Sequence, residues 1–153
     1  MGLEVNKAVV RRFIEELWNR RQLEVADDIF APDCVTHQLR SGAEATMPRP
    51  PEVTKQHIKD WTAAFPDLHI TIERMIAEKD RVMIQCIQRG THLGSWQGIA
   101  PTGKVISIQM VVVYRIAGGR IAEDWVLVDF LGVFQQLGVV PPTAEIFKQA
   151  STR

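Results

Sequence analysis

The sequence lacks the features that place a chain in several large classes of protein. It has only 2 cysteines in 153 residues, too few for a disulfide scaffold. Its 18 basic and 18 acidic residues cancel, so no excess positive charge indicates binding to nucleic acid or to an anionic membrane. No apolar run approaches the ~20 residues of a membrane span. We therefore expect neither nucleic acid nor a membrane among the partners.

Motifs for cofactors and for export are also missing. No cysteines and histidines stand at metal-binding spacing, and neither a phosphate loop nor a dinucleotide fingerprint occurs, so we expect no metal and no cofactor. The first residues, MGLEVNKAVVRRF, contain no apolar segment followed by a small-residue cleavage site, which predicts a cytoplasmic location. Cys34 and Cys86 lie in apolar stretches and are predicted to be buried free thiols.

Helices are predicted in the first half of the chain. Apolar residues recur at helical spacing over residues 4–20. A second, short helix over residues 22–30 stops at Pro32, and a third begins at Pro51 and ends at Pro66.

Strands dominate the second half. A short strand over residues 34–39 comes first and is followed by residues 40–50, which read as an aperiodic loop long enough to be a lid. After the third helix the apolar period changes to two, which predicts strands that begin near residues 68, 81, 104 and 120. Helices followed by long strands with short turns define an α+β fold, and residues 1–153 are predicted to form a single domain. The expected geometry is a curved antiparallel sheet wrapped around the N-terminal helices, with a cone-shaped pocket between them.

The register of the last two strands follows from the Gly118-Gly119 pair, which is typical of a two-residue hairpin turn. With such a turn and no bulge, Tyr114 pairs with Glu123 and the next inward pairs place Trp125, Leu127 and Asp129 on the pocket face. A slip of one residue would turn this whole set outward.

Asp129 is the strongest catalytic candidate. It follows an apolar strand and has aliphatic and aromatic neighbours, and a carboxyl group buried in such surroundings has a raised pKa suited to general acid/base work. An alternative remains open, since Asp129 could instead be the N-cap of the helix that begins after it. The two roles do not exclude each other.

Further residues could complete the site. His37, on the short strand before the loop, is the second catalytic candidate. A histidine that only makes hydrogen bonds in the core or at the pocket rim would show the same sequence pattern. Candidate ligand-binding residues are the inward aromatic, sulfur and polar side chains, which would suit a small apolar or aromatic ligand if they are more than ordinary core: Trp18, Trp61, Met110, Tyr114, Glu123 and Trp125. His57 reads as a surface residue.

The sheet is predicted to be apolar on both faces. Val111 and Val113 on one strand and Val126 and Val128 on the next would lie opposite the pocket face. A second apolar face needs its own cover, and another copy of the chain would supply it. The sequence therefore predicts a homodimer.

Several blocks resemble one known family. The ending GGRIAEDWVLVDFLGVFQQLG, the helix VVRRFIEELWNRR and the loop THLGSWQGIAPTGK are similar to those of SnoaL-like polyketide (ester) cyclases, in the nuclear transport factor 2-like superfamily. The resemblance covers about residues 5–140 and implies a cone-shaped α+β roll. It also implies a cofactor-free intramolecular aldol condensation, with Asp129 as general acid/base. The histidine that assists in the family's preceding strand is absent from VISIQMVVVYRI, so Gln109 or Tyr114 takes its part or the reaction differs.

The resulting hypothesis is a cofactor-independent polyketide cyclase or isomerase that acts on a conjugated carbonyl compound or ester. Two alternatives stay open. One is a non-catalytic binder of a small apolar ligand. The other is an isomerase, hydroxylase or epoxide hydrolase on the same roll.

Overall fold

The computed structural model describes residues 2–40 and 42–152. The α-helices are α1 (Leu3–Arg12), α2 (Ala26–Ile29), α3 (Pro51–Ala64), α4 (Phe130–Gln136) and α5 (Thr143–Ser151). The strands are β1 (Phe30–Arg40), β2 (Ala43–Pro48), β3 (His69–Glu78), β4 (Arg81–Thr91), β5 (Val105–Ala117) and β6 (Arg120–Val128).

The six strands form one sheet in the order β2-β1-β6-β5-β4-β3. Neighbours are antiparallel except for β1 and β6, which run parallel because the long connection from β1 through α3 brings the chain back to the far edge. The sheet curves around the N-terminal helices, which confirms the predicted α+β fold.

The first helix packs its apolar stripe against the concave face of the sheet. The predicted helix over residues 4–20 is confirmed as α1 followed by a π-helical segment, Phe13–Asn19. Widening of the helix here turns Phe13 and Trp18 into the interior, and both are nearly fully buried. Cys34 and Cys86 are buried free thiols, as predicted.

The segment predicted as a loop over residues 40–50 is instead largely a strand. Residues Ala43–Pro48 form β2, which pairs with β1 from Val35↔Pro48 to Arg40↔Ala43. Ser41, at the hairpin turn, lies outside the described residues. The prediction was wrong because every side chain of β2 is exposed, so the strand carries no apolar alternation that a sequence could reveal.

The predicted two-residue turn between β5 and β6 is present, with Gly118 and Gly119 at φ 58° and 75° and Ala117 paired with Arg120. The register beyond it differs from the prediction. Ile116 pairs with Ile121 but Arg115 pairs with Glu123, so Ala122 is an extra residue in a β-bulge. From there every side chain of β6 lies on the face opposite to the predicted one.

The chain ends in two helices with different surroundings. Helix α4 buries Gly132 and Val133, whereas α5 has no buried residue. None of the described helices is long and apolar enough to cross a lipid bilayer.

Candidate active site

The interior between the sheet and the helices is hollow. A deep chamber of about 40 Å³ lies under the sheet, and it shares walls with a wide cleft of about 1360 Å³ that opens beside β1, α3 and α4. The chamber is walled by apolar and aromatic side chains with a few polar ones: Phe13, Trp18, Gln38, Arg40, Arg49, His57, Trp61, Gln88, Met110, Val112, Tyr114, Asp124, Val126, Val128 and Phe130. This is the form of a ligand site, with an apolar body and a few fixed polar groups.

Asp124 is the carboxylate in the chamber. It pairs with Tyr114 across the β5–β6 ladder, on the concave face, and it is 0% exposed. Burial raises the pKa of Asp124 above its ordinary value, and Arg49 and the Thr36 hydroxyl oppose that rise. Because of the bulge at Ala122, the side chain of Asp124 points inward. In a regular strand the side chains of Glu123 and Trp125 would have done so.

A row of side chains on β1 fixes the orientation of this carboxylate. Arg40 Nη2 donates to Gln38 Oε1 at 3.1 Å, and Gln38 Nε2 donates to Thr36 Oγ1 at 2.8 Å. Because its oxygen already accepts from Gln38, Thr36 directs its hydroxyl proton to Asp124 Oδ1. Alternate residues of a strand share a face, so residues 36, 38 and 40 all reach the interior.

The other oxygen of Asp124 is free. Asp124 Oδ2 is buried and has no hydrogen-bond partner in the described part of the chain. Its nearest cation is Arg49, whose Nη1 lies 3.7 Å away, beyond hydrogen-bond distance, and whose side chain is only 8% exposed. A buried oxygen without a partner is rare and indicates a place for a ligand or a proton.

Gln88, on β4, is the second unpartnered polar group of the chamber. It is 2% exposed, and its Nε2 finds no acceptor within residues 2–40 and 42–152. Among the described residues, the chamber therefore offers a free acceptor, Asp124 Oδ2, and a free donor, Gln88 Nε2, beside the guanidinium of Arg49. A carbonyl group with an adjacent C–H bond would satisfy this set.

Aromatic rings on α3 and the π-helical segment close the chamber. His57 lies edge-on to Trp18 with ring centroids 5.8 Å apart and edge-on to Trp61 at 6.4 Å. Burial, together with the positive charges of Arg49 and Arg40, lowers the pKa of His57 to about 3. His57 is therefore neutral at pH 7, and its predicted surface position is wrong.

Four of the sequence-predicted ligand-binding residues line the chamber, namely Trp18, Trp61, Met110 and Tyr114. Burial raises the pKa of Tyr114 well above its ordinary value, so its hydroxyl stays protonated and can donate. The sequence interpretation missed Thr36, Gln38, Arg49, His57, Gln88 and Asp124. Asp124 and Gln88 had a signal, because each alternates with apolar residues of its strand: Asp124 with Val126 and Val128, and Gln88 with Ile84 and Cys86.

His37, Glu123 and Trp125 lie on the outer face of the sheet, so their predicted inward position is wrong. His37 Nε2 lies 2.7 Å from Glu123 Oε1, and Arg115 Nε donates to Glu123 Oε2 at 2.7 Å. The His37 ring stacks on Trp125 with centroids 5.0 Å apart. The hydrogen bond from Arg115, assisted by His37, lowers the pKa of Glu123. This is a satisfied surface network, separated from the chamber by the sheet.

Asp129 is exposed, which contradicts the predicted burial. Its side chain accepts a hydrogen bond from the backbone N–H of Gly132 at 2.8 Å and caps α4. The residue lines the rim of the wide cleft but not the deep chamber. The alternative interpretation of Asp129 as an N-cap is therefore the one its geometry supports.

Asp129→Ala is expected to lower the free energy of unfolding by about 1 kcal/mol, because the N-cap hydrogen bond is lost. Asp129→Asn should retain most of that stability, since an asparagine oxygen can accept the same bond. Urea denaturation of the two variants measures the difference. Equal losses in both variants would contradict a capping role for the side chain.

In the part of the chain that the structure describes, no group of three His, Cys, Asp or Glu side chains is arranged to hold a metal ion.

A curved sheet wrapped around helices, with a chamber between them, defines the class of cone-shaped α+β rolls. Residues 8–137 match the SnoaL-like polyketide cyclase family, and the chain belongs to that family. This confirms the resemblance inferred from the sequence.

Several relatives lie at moderate sequence identity. The chain is 29% identical over 142 residues to aklanonic acid methyl ester cyclase AcmA of Streptomyces galilaeus, across 90% of this chain and 94% of AcmA. Among solved structures it is similar to AclR, a candidate hydroxylase of the same organism, at 25% identity and a TM-score of 0.80 over 99% of this chain and 92% of AclR. It is also similar to IdmH, a candidate polyketide cyclase of Streptomyces antibioticus, at 29% identity and a TM-score of 0.74 over 87% of this chain and 98% of IdmH.

Proposed function

We propose that this protein is a cofactor-independent cyclase that closes a ring in a polyketide-type ester by intramolecular aldol chemistry. The observation that carries the proposal is Asp124 Oδ2, a buried carboxylate oxygen without a hydrogen-bond partner in the described residues. An acid/base group must present a free oxygen to its substrate, and Asp124 does so inside an apolar chamber. We assign to Asp124 the role that the sequence had suggested for Asp129.

The reaction needs one group that first takes a proton and then returns it. Asp124 Oδ2 removes a proton from the carbon next to a substrate carbonyl, and the electron pair of the broken C–H bond moves into an enolate. The enolate carbon attacks a second carbonyl carbon of the same molecule and forms the new C–C bond. The proton held by Asp124 then passes to the resulting alkoxide oxygen. All atoms of the substrate remain in the product.

The shape of the interior supports a large, flat substrate. The deep chamber has room for about two or three heavy atoms, which is the size of a carbonyl group with its neighbouring carbon. The body of the substrate would occupy the wide cleft, where Trp61, Trp96, Phe130 and Phe134 supply aromatic walls. Trp96 and Phe130 are nearly parallel, with an angle of 10° between their planes.

AcmA provides the probe for the first experiment. Purified protein is incubated with aklanonic acid methyl ester in buffer without added cofactor. The products are separated by chromatography, and their masses are determined by mass spectrometry. The proposal predicts a product with the mass of the substrate and a new retention time, because an aldol addition conserves every atom.

Two other outcomes would overturn the proposal and favour the alternatives. Tight binding of the ester without any product indicates a non-catalytic binder of aromatic ligands. A product heavier by one oxygen indicates a hydroxylase, and labelled water or labelled O₂ then identifies the source of that oxygen.

We also propose that the protein is a homodimer that pairs through the outer face of its sheet. Val111 and Leu127 are cross-strand neighbours there, where the face borders the wide cleft, and they are 37% and 53% exposed. Val113 and Trp125 form the next pair on the same face and are half-buried. Val126 and Val128, which were predicted on this face, lie on the chamber side because of the bulge. A second copy is the proposed cover for the patch.

Leu127→Glu is expected to convert the dimer to a monomer, because a carboxylate would have to be buried against apolar side chains of the partner. Light scattering coupled to size exclusion gives the mass. Leu93→Glu is the matched control, because Leu93 is 57% exposed and lies in the loop that contacts α3, away from this face. A monomeric wild-type protein would contradict the proposal.

A further inference from the structure

We propose that Arg49, with Gln88, forms an oxyanion site that holds the substrate oxygen on which negative charge develops. The inference rests on the proposed function and deepens it by assigning the group that stabilises the enolate. Arg49 is the first of the two residues between β2 and α3, and its backbone N–H donates to the Cys34 carbonyl at 2.7 Å.

Arg49 lines the chamber, and its side chain makes no hydrogen bond to another residue in 2–40 or 42–152. Asp124 is the one acidic residue paired with this guanidinium in the described residues, at 3.7 Å. A guanidinium carries five N–H donors, and the side chain of Arg49 is only 8% exposed. Gln88 Nε2, also buried and without an acceptor among the described residues, faces the same small volume.

The charges of the reaction balance at this place. Before proton transfer, the carboxylate of Asp124 carries the negative charge beside Arg49. When Asp124 Oδ2 takes the proton, the carboxyl becomes neutral and the negative charge moves to the enolate oxygen of the substrate. If that oxygen also lies against Arg49, the buried positive charge has a counter-charge both before and after the proton transfer, which a low-dielectric chamber requires.

Neither of the neighbouring basic groups fits this role as well. Arg40 is committed to Gln38 Oε1, and its guanidinium lies 4.4 Å above the centre of the Phe130 ring. His57 has a pKa of about 3 and so has no positive charge at neutral pH. Arg49 is the basic residue adjacent to the free oxygen of Asp124.

The test compares Arg49→Met with Arg49→Lys, using aklanonic acid methyl ester as substrate. Methionine keeps the apolar stem and removes both the charge and the donors, so we expect kcat to fall by about 10²- to 10³-fold with a smaller change in KM. Lysine keeps the charge but lacks the planar fork, and kcat should lie between that of Arg49→Met and that of wild type.

The pH profile separates this role from a simpler one. Removal of Arg49 also raises the pKa of Asp124, and that effect alone would shift the profile to higher pH and restore the wild-type kcat once the carboxyl is ionised. An oxyanion site predicts that the high-pH plateau of Arg49→Met stays about 10²-fold or more below that of wild type. A plateau that recovers fully would overturn the inference.

A binding measurement tests the same site without turnover. Asp124→Asn has a neutral side chain like the protonated acid, and ionised 2-naphthol is a stable, flat mimic of an enolate. We expect Asp124→Asn to bind the naphtholate about 10- to 100-fold more tightly than the double variant Asp124→Asn/Arg49→Met, as followed by absorbance. Equal affinities would contradict a direct contact between Arg49 and the oxyanion.

The experiments distinguish failure of the oxyanion site from failure of the proposed cyclase function. If wild type forms no ring-closed product, or Asp124→Asn retains full activity, the cyclase proposal fails. If Asp124→Asn is inactive while Arg49→Met regains the wild-type plateau, the cyclase proposal stands and only the oxyanion site is wrong.

Discussion

Asp124→Asn is expected to lower kcat by about 10²- to 10⁴-fold, the range that a positioned acid/base group contributes. Asparagine has nearly the same shape and can still accept the hydrogen bond from Thr36 on its oxygen, so the β1 network should survive. The nitrogen that replaces Oδ2 cannot take a proton from carbon. We therefore expect the loss in kcat, with KM changed only a few-fold.

The pH dependence of kcat tests the same role of Asp124 as a base. Asp124 must be ionised to act as a base, so activity falls as the pH decreases through its pKa. Because burial raises that pKa, the acid limb should lie above pH 3.8, the ordinary value for an aspartate. The residual activity of Asp124→Asn should not show this limb.

Asp129→Asn is the control for this prediction. It makes the same chemical change five residues further along the chain, on an exposed carboxylate that caps α4. Its kcat should stay close to that of wild type. The reverse result, a large loss in Asp129→Asn and none in Asp124→Asn, would return the catalytic role to the rim of the cleft.

Gly94→Ala is expected to have the largest effect on stability, a loss of about 3 kcal/mol, at the upper end of overpacking costs. Gly94 lies against the end of α3, where its N–H donates to the Ala64 carbonyl at 3.0 Å. A Cβ at this position would overlap the carbonyl oxygen of Ala63 and lie 3.1 Å from Ala64 Cα. These are backbone atoms, so the helix or the loop would have to move.

A shift of the loop or of α3 would also disturb the candidate site, because both segments carry residues that line the wide cleft. Trp61 lies on α3 and Trp96 follows in the loop, with ring centroids 5.1 Å apart. Urea denaturation measures the loss, and the exposed Ser95→Ala in the same loop is the control. A Gly94→Ala variant as stable as Ser95→Ala would contradict the close approach of loop and helix.

The local pattern of the sequence predicted the elements that make the frame. Helical spacing located α1 and α3, alternation located β3 to β6, and the glycine pair located the hairpin turn, because each signal depends on residues close in the chain. The exposed strand β2 was missed because its residues follow no apolar period.

The candidate site depends on contacts that no local pattern contains. One extra residue at Ala122 exchanged the two faces of β6, so Asp124, Val126 and Val128 took the interior positions predicted for Glu123, Trp125 and Leu127. Arg49 and Asp124 lie 75 positions apart in the sequence, and the fold brings their side chains together. Proximity of this kind follows from the order of strands in the sheet, which local propensities do not fix.

Exchange of the substrate's carbon-bound proton with solvent tests the central claim most directly. Wild-type protein and aklanonic acid methyl ester are mixed in deuterated buffer, and deuterium at the carbon next to the reacting carbonyl is followed by NMR and mass spectrometry. We predict deuterium at this carbon in recovered substrate with wild type and with Asp129→Asn, because Asp124 can return a solvent deuteron to the enolate, and a rate at least about 10²-fold lower with Asp124→Asn. Undiminished exchange with Asp124→Asn would contradict the assignment of the buried carboxylate as the base.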